Sequence, residues 1–193
     1  MSFGACVSHD GKKIYIAGGT SGDKKKSMNE TFEYDIIADK WTKLGELNQP
    51  RFSSSLILFN NKLICLGGQD QDHNGKHVIL SSFEVLDLGI EGSNWYTASN
   101  TLTYKACSPG ALVISMNELL VFGGWNLNNL DNVCRIKETS TGEFIVKDSE
   151  KLQQADKFLL NGIKMRHSDT ELNIFGVDYV HQYNENKGTF NVL

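Results

Sequence analysis

The 193-residue sequence predicts an all-β fold, a propeller of four four-stranded antiparallel blades, and three observations predict it. First, a short apolar strand ending in glycine recurs: "KIYIAGG" (13 to 19), "KLICLGG" (62 to 68), "ELLVFGG" (118 to 124) and, weakened, "ELNIFGV" (171 to 177). The leading glycines stand at 18, 67, 123 and 176, so the spacings are 49, 56 and 53. That is the period of about 50 residues expected for one four-stranded blade and longer than most helical repeats. Second, a tight polar turn precedes each apolar strand, and third, an aromatic or apolar residue follows each at a regular distance.

The first strand of each unit meets the second through Ser8-His9-Asp10-Gly11, Asn60-Asn61, Ser115-Met116-Asn117 or His167-Ser168-Asp169. Asp-Gly and Asn-Asn tolerate the positive φ of a two-residue hairpin turn. The second strands, such as Leu119-Leu120-Val121-Phe122, are apolar at successive positions, which suits a sheet covered on both faces. Glycines close those strands because they permit backbone angles and close approaches that a side chain forbids. A variable loop follows, then a third strand ending near Tyr34, Leu86, Ile136 and Tyr183, then a fourth carrying Trp41, Trp95, Phe144 and Phe190. The large rings are expected to fill the gaps between neighbouring twisted sheets at the diglycines. Segment 152 to 160, which could read as a short helix, is expected to be loop and first strand by its place in the repeat. A β-sandwich with chance Gly-Gly pairs is the competing architecture, but a sandwich does not need this period.

These residues carry a family resemblance. Gly18-Gly19, Tyr34-Asp35, Trp41 and "WTKLGELNQPR" (41 to 51) resemble the kelch repeat. The second unit keeps Gly67-Gly68, Asp87 and Trp95 but has Leu86 at the Tyr position. The third keeps Gly123-Gly124, with Ile136 and Phe144 in the aromatic slots, and the fourth keeps Gly176, Tyr183 and Phe190 but has Val177 for the second glycine. The resemblance covers nearly the whole chain, read as one domain with blades at about 1 to 48, 49 to 99, 100 to 152 and 153 to 193. Kelch propellers usually have five to seven blades, so four could close as a small ring, form an arc of a larger propeller, or pair with another copy.

The net charge of −4 offers no attraction to nucleic acid or an anionic membrane. No apolar run approaches the roughly 18 residues a membrane helix needs, and "MSFGACVSHDG" lacks the features of a secretory signal, so a cytoplasmic location is expected. Cys6, Cys65, Cys107 and Cys134 form no Cys-x-x-Cys pair and are expected to be buried, reduced thiols.

Propellers act through loops at the strand ends. The kelch resemblance implies that the loops between strands 2 and 3 share one face with the segments joining blades. The resulting partner-binding candidates are Lys24, Lys25, Lys26, Arg51, Tyr104 and Trp125, because Trp, Tyr and Arg are the side chains most often energetic at interfaces. Lys24 to Lys26 also read as a solvated loop tip, Trp125 could pack over its own blade, and Arg51 could serve a structural hydrogen-bonding role. In "DQDHNGKH" (70 to 77), Asp70, Asp72, Asn74 and Gly75 match the first positions of a calcium loop, but Ser81 stands where the bidentate Glu belongs. His73 and His77 converge only on a helix. No catalytic triad or metal motif stands out, so no cofactor or metal is assigned. The expected function is a non-enzymatic interaction module for a protein partner, with self-association possible; a propeller enzyme or metal-dependent carbohydrate-binding domain is the alternative.

Overall fold

The computed structural model describes residues 2–21, 26–71, 75–149, 151–152, 163–168, 171–175 and 180–193. The helix-or-loop segment at 153 to 160 and Gly176 lie outside these residues. Blade 1 comprises β1 (Gly4–Val7), β2 (Lys13–Ala17), β3 (Thr31–Asp35) and β4 (Lys40–Lys43). Blade 2 comprises β5 (Ser55–Phe59), β6 (Lys62–Leu66), β9 (Phe83–Asp87) and β10 (Tyr96–Thr97), with a small hairpin, β7 (Gln69–Gln71) and β8 (His77–Ile79), inserted after β6. Blade 3 comprises β11 (Gly110–Ser115), β12 (Glu118–Phe122), β15 (Val133–Glu138) and β16 (Phe144–Asp148), with a second hairpin, β13 (Trp125–Asn126) and β14 (Asn128–Asn129), at the same place. Blade 4 comprises β17 (Ile163–Ser168), β18 (Glu171–Phe175), β19 (Val180–Asn184) and β20 (Thr189–Val192). Each blade is an antiparallel meander in chain order. The fold class read from the sequence is the one observed.

The turns follow the residues that close them. Asn60 and Asn61 adopt φ of 47° and 60°, and Gly11 adopts 71°, the left-handed values a tight hairpin needs.

Because side chains alternate across a strand, each blade has two faces. The leading face of blade 2 packs on blade 1: Leu56, Leu63, Cys65, Leu86 and Trp95 cluster with Tyr15, Ala17 and Leu47. Its other face joins blade 3, where Ile64, Leu66, Phe83 and Val85 cluster with Leu119, Val121, Ile136 and Phe144. Leu120, Phe122 and Val133 of blade 3 then meet Ile174, Tyr183 and Phe190 of blade 4. The fourth-strand rings are therefore anchors into the preceding blade. Trp95 is 3% exposed, and its indole N–H donates to Thr31 Oγ1 at 3.0 Å and to the Gly45 carbonyl at 3.1 Å, both in blade 1. Phe144 meets Phe83 edge-on at 5.9 Å and Phe190 meets Phe122 at 5.7 Å. Burying one such ring removes about 150–250 Å² from water, worth several kcal/mol at about 25 cal/mol per Å² as an upper estimate.

Two expectations are corrected. Trp41, expected to fill a gap between sheets, is 53% exposed and stacks only on its own blade, 4.9 Å from Tyr34 and 6.4 Å from Phe32. Its ring points from the leading face of blade 1, and no sheet stands before that face among the described residues. The diglycines, expected to make room for rings, make room for backbone. A Cβ on Gly18 would lie 2.2 Å from the Arg51 carbonyl oxygen, and one on Gly67 would lie 2.5 Å from that of Ala106. Both carbonyls belong to the segments joining one blade to the next.

All four cysteines are free thiols; Cys65, Cys107 and Cys134 are buried and Cys6 is half-buried. Burial pushes the Cys107 and Cys134 thiols up to about 11 and Cys6 up to about 12. At pH 8 the folded chain is expected to react with Ellman's reagent at fewer than one thiol per molecule, and at all four after unfolding in guanidinium. The folded values exceed the unfolded value near 9, so the stabilisation is complete below pH 9 and is lost as pH rises toward 11 to 12. A melting temperature that rose between pH 9 and 11 would contradict this.

Candidate functional site: the loop face

The joining segments and the exits of the second strands form one hydrogen-bonded layer. Gly19 N–H donates to Arg51 O, Met28 N–H to Gly19 O and Arg51 N–H to Met28 O, at 2.8, 2.9 and 3.0 Å. One blade later the same triangle links Gly68, Leu80 and Ala106 at 2.8, 2.9 and 3.2 Å, and Leu130 N–H donates to Gly124 O at 3.0 Å. Nearer the axis, Ser53 N–H donates to Ser2 O at 2.7 Å and Ser108 N–H to Ser53 O at 2.6 Å, so successive blades are tied in sequence. Ser53 and Ser108 both take left-handed φ, 51° and 47°, a strain repeated at equivalent positions.

The two inserted hairpins rise from this layer. Gln69 in β7 exchanges both backbone hydrogen bonds with Phe52 at 2.9 Å, and Trp125 in β13 exchanges both with Cys107 at 2.9 and 3.0 Å. The loops between strands 2 and 3 and the joining segments thus lie on one face, as the resemblance implies.

Trp125 is held by backbone on two sides, by Cys107 and by Asn129, while its side chain is 42% exposed. Leu127, at the tip, is 79% exposed at a left-handed φ of 62°. A rigid backbone presenting bare apolar side chains has little entropy left to lose on binding. Lys26 is exposed at the end of the first loop, where Ser21 N–H donates to its carbonyl at 3.0 Å; Lys24 and Lys25 lie outside the described residues. Lys105 is exposed on the joining segment.

Two candidates leave the site. Arg51 is completely buried, and of the two roles its sequence context leaves open the structure gives the structural one. Its guanidinium pairs with buried Glu84 at 2.6 Å and donates to the carbonyls of Gly67 and Ser82 at 3.0 and 3.1 Å. Glu84 in turn accepts from the N–H groups of Asn48 and Gln49 at 2.6 and 3.0 Å. The joining segment is clipped to blade 2 at both ends of one ion pair. Tyr104 packs against the core between blades 2 and 3, and its buried hydroxyl makes no hydrogen bond; burial pushes its ionisation well above the ordinary tyrosine range.

The calcium-loop reading meets a different geometry. Asp70 and His77 lie in β7 and β8, with Asp70 opposite Val78 and Gln71 opposite His77, so the ends of the stretch are paired strands. Asp70 accepts from its neighbour's N–H at 2.7 Å and from Gln49 Nε2 at 3.5 Å, and the His77 ring stands edge-on to Phe52 at 5.5 Å. Asp72, His73 and Asn74 lie outside the described residues. Among the described residues no three His, Cys, Asp or Glu side chains cluster as a metal site.

On the opposite side, a groove of about 500 Å³ opens between blades 1 and 2 over Leu44, Leu86 and Ile90. Its lysines are already paired, Lys13 with Glu33 at 2.9 Å and Lys43 with Glu46 at 2.8 Å. Burial, together with the Glu33 carboxylate, pushes Tyr15 there up to about 12.

Comparison with known proteins accords with this geometry. The model of the Kelch motif matches residues 1–48. Kelch-like protein 26 of Danio rerio is 28% identical over 139 residues, 69% of this chain and 22% of that protein. Kelch repeat and BTB domain-containing protein 1 of Horsepox virus is 40% identical over 74 residues, 37% of this chain and 13% of that protein. The chain carries a Kelch motif at residues 1–48 and is similar to kelch-repeat proteins. Its matches span less than a quarter of the length of these two relatives. Among solved structures, that titled "Structure of YjhT" superposes with a TM-score of 0.76 over 98% of this chain and 69% of the other, at 12% identity, which shows a shared fold.

Signals for what was missed exist in part. Glu84 interrupts the apolar run Phe83-Glu84-Val85-Leu86 within the third strand, a mark of a buried partner. Leu127 carries no such mark, since only the hairpin reveals its exposure.

Proposed function

We propose that this kelch chain is a non-enzymatic interaction module that binds a protein partner through its loop face. The observation that carries this reading is the Trp125–Leu127 tip: two large apolar side chains held open to solvent on a backbone fixed from both sides. Binding energy in protein interfaces concentrates in such rigid aromatic anchors. The partner is a protein with an apolar, aromatic-accepting pocket, and Lys26 and Lys105 favour acidic residues at its rim. The presence of kelch repeats in proteins whose names pair them with a BTB domain supports an adaptor role. A cytoplasmic location belongs to the same reading and is supported by four unpaired thiols.

A partner captured from native lysate on the full chain is expected to bind the double variant Trp125→Ala, Leu127→Ser at least ten-fold more weakly. Met116→Ser, at an exposed turn on the opposite side, should leave affinity within two-fold. Equal affinity for all three proteins rejects the loop face as the site.

A further inference from the structure

We propose that the outer part of the seam between blades 3 and 4 is a second binding surface, separate from the loop face, for an extended acidic segment of a protein partner. Strand register makes the blades comparable position by position. Where blade 1 has Glu33, Asp35 and Thr42, and blade 2 has Val85, Asp87 and Tyr96, blade 3 has Arg135, Lys137 and Lys147. Three cations replace acidic or neutral side chains on one face of one sheet. In the first two seams the lysine that opens the second strand is neutralised, Lys13 by Glu33 at 2.9 Å and Lys62 by Glu138 at 2.9 Å. In the third seam Glu118 takes that place and pairs with Arg135 at 3.3 Å, which leaves Lys137 and Lys147 in excess. Both are exposed, and among the described residues neither makes an ion pair. Register also sets Lys147 directly opposite Arg135, and like charges so placed repel. A bound anion relieves that repulsion.

The surroundings of the three cations define the occupant. An open groove of about 530 Å³ lies over them, lined also by Glu118, Thr139, Ile145 and Asp148. Asp148 does not balance the lysines, since its register partner is Cys134, which is buried on the opposite face of the sheet against blade 2. Arg135 is fixed in place: its guanidinium donates to Ser149 Oγ at 3.2 Å, to Glu118 at 3.3 Å and to the Tyr183 hydroxyl of blade 4 at 3.2 Å. Lys137 and Lys147 are therefore the groups left to meet an incoming anion. Ile145 stands directly opposite Lys137 and two residues from Lys147, 43% exposed, so an apolar side chain lies beside both ammonium groups. A small inorganic anion leaves that surface in water, whereas a protein segment covers it. Diagonal neighbours such as Lys137 and Lys147 stand about 7–8 Å apart. Carboxylates at alternate positions of an extended chain point to one side, about 6.6–6.8 Å apart. β16 is the outer strand of its sheet, so such a chain can lie along it with its acidic side chains over the groove. Charge and spacing match acidic residues at alternate positions.

Titration of the nitrogen-15-labelled full chain with the peptide acetyl-Glu-Thr-Glu-Thr-Glu-Thr-amide, followed by NMR, tests the site. Exposed ion pairs are individually weak, so a Kd of roughly tens to hundreds of micromolar is expected in about 50 mM salt, and binding at least five-fold weaker in about 300 mM salt. The same peptide with Gln for Glu is expected not to bind. Lys137→Glu combined with Lys147→Glu, both at exposed sites, is expected to keep the fold by circular dichroism and to weaken binding at least five-fold. Lys26→Glu combined with Lys105→Glu, on the loop face, is expected to weaken it less than the groove variant does. The peptide carries no aromatic anchor, so the outcome is independent of the Trp125–Leu127 reading. Absence of binding, equal binding of the Gln peptide, or a groove variant weakened less than five-fold overturns the proposal. So does a loop-face variant weakened as much as the groove variant or more, which assigns the acidic ligand to the loop face instead. Should the double charge reversal lose its fold, Lys137→Gln combined with Lys147→Gln is expected to weaken binding at least three-fold; any smaller loss overturns the proposal.

Discussion

Replacing Arg51 by methionine is expected to destabilise the protein by roughly 3–5 kcal/mol, enough to unfold a marginal domain at 37 °C. The magnitude follows from what is left behind. Arg51 and Glu84 are both fully buried, 2.6 Å apart. Removing the guanidinium leaves an anion in the core held, among the described residues, by the N–H groups of Asn48 and Gln49, and it takes a donor from the carbonyls of Gly67 and Ser82. Lysine is not a substitute, because one ammonium cannot reach two carbonyls and a carboxylate in the planar fork that guanidinium provides. Glu84→Gln keeps an acceptor for the Asn48 and Gln49 amides but removes the counter-charge, and should cost less. In the double variant no buried charge remains, so chemical denaturation of the four proteins is expected to give a coupling of about 2 kcal/mol or more between the two sites. Simple additivity would mean the pair acts as two independent polar contacts.

That pair shows why the repeat was legible and the site only partly so. Period and pattern are one-dimensional, and they are enforced at every blade: Ala17, Leu66 and Phe122 precede the glycines because each is buried between two sheets. Any residue whose role repeats can be found by comparing the chain with itself. The same comparison also placed Trp41 with Trp95, and there it misled. Equivalent positions have equivalent surroundings only when both neighbours are present, and among the described residues no sheet stands in front of blade 1 as blade 1 stands in front of blade 2. Arg51 failed as a surface candidate for the converse reason. Its position corresponds to Ala106 in the next joining segment, so its burial rests on Glu84, a partner 33 residues away that no local pattern announces. Trp125 and Leu127 are exposed because β13 and β14 pair over only two residues each, a geometry that loop composition does not encode.

Gly67→Ala is the second large effect, expected at roughly 3–4 kcal/mol, against about 1 kcal/mol for Gly92→Ala. The two glycines have similar backbones, φ of 58° and 72°, so an alanine at either place incurs the same left-handed penalty. Their surroundings differ. At Gly92 nothing lies within 4 Å of an added Cβ, whereas at Gly67 the Ala106 carbonyl oxygen is 2.5 Å away. That oxygen is backbone, fixed by the hydrogen bond it accepts from Gly68 N–H at 2.8 Å. It cannot yield without moving the segment that joins blades 2 and 3. Displacing that segment breaks the Gly68 and Leu80 bonds to Ala106 together, and it shifts the Gly67 carbonyl that Arg51 reads at 3.0 Å. The difference between the two alanine variants therefore isolates the cost of separating adjacent blades from the cost of glycine's conformation. If both variants melt within about 1 kcal/mol of each other, the diglycine serves its own backbone angles and the inter-blade contact is incidental; a gap of 2 kcal/mol or more assigns the recurring Gly-Gly to the backbone seam on which the loop face is built.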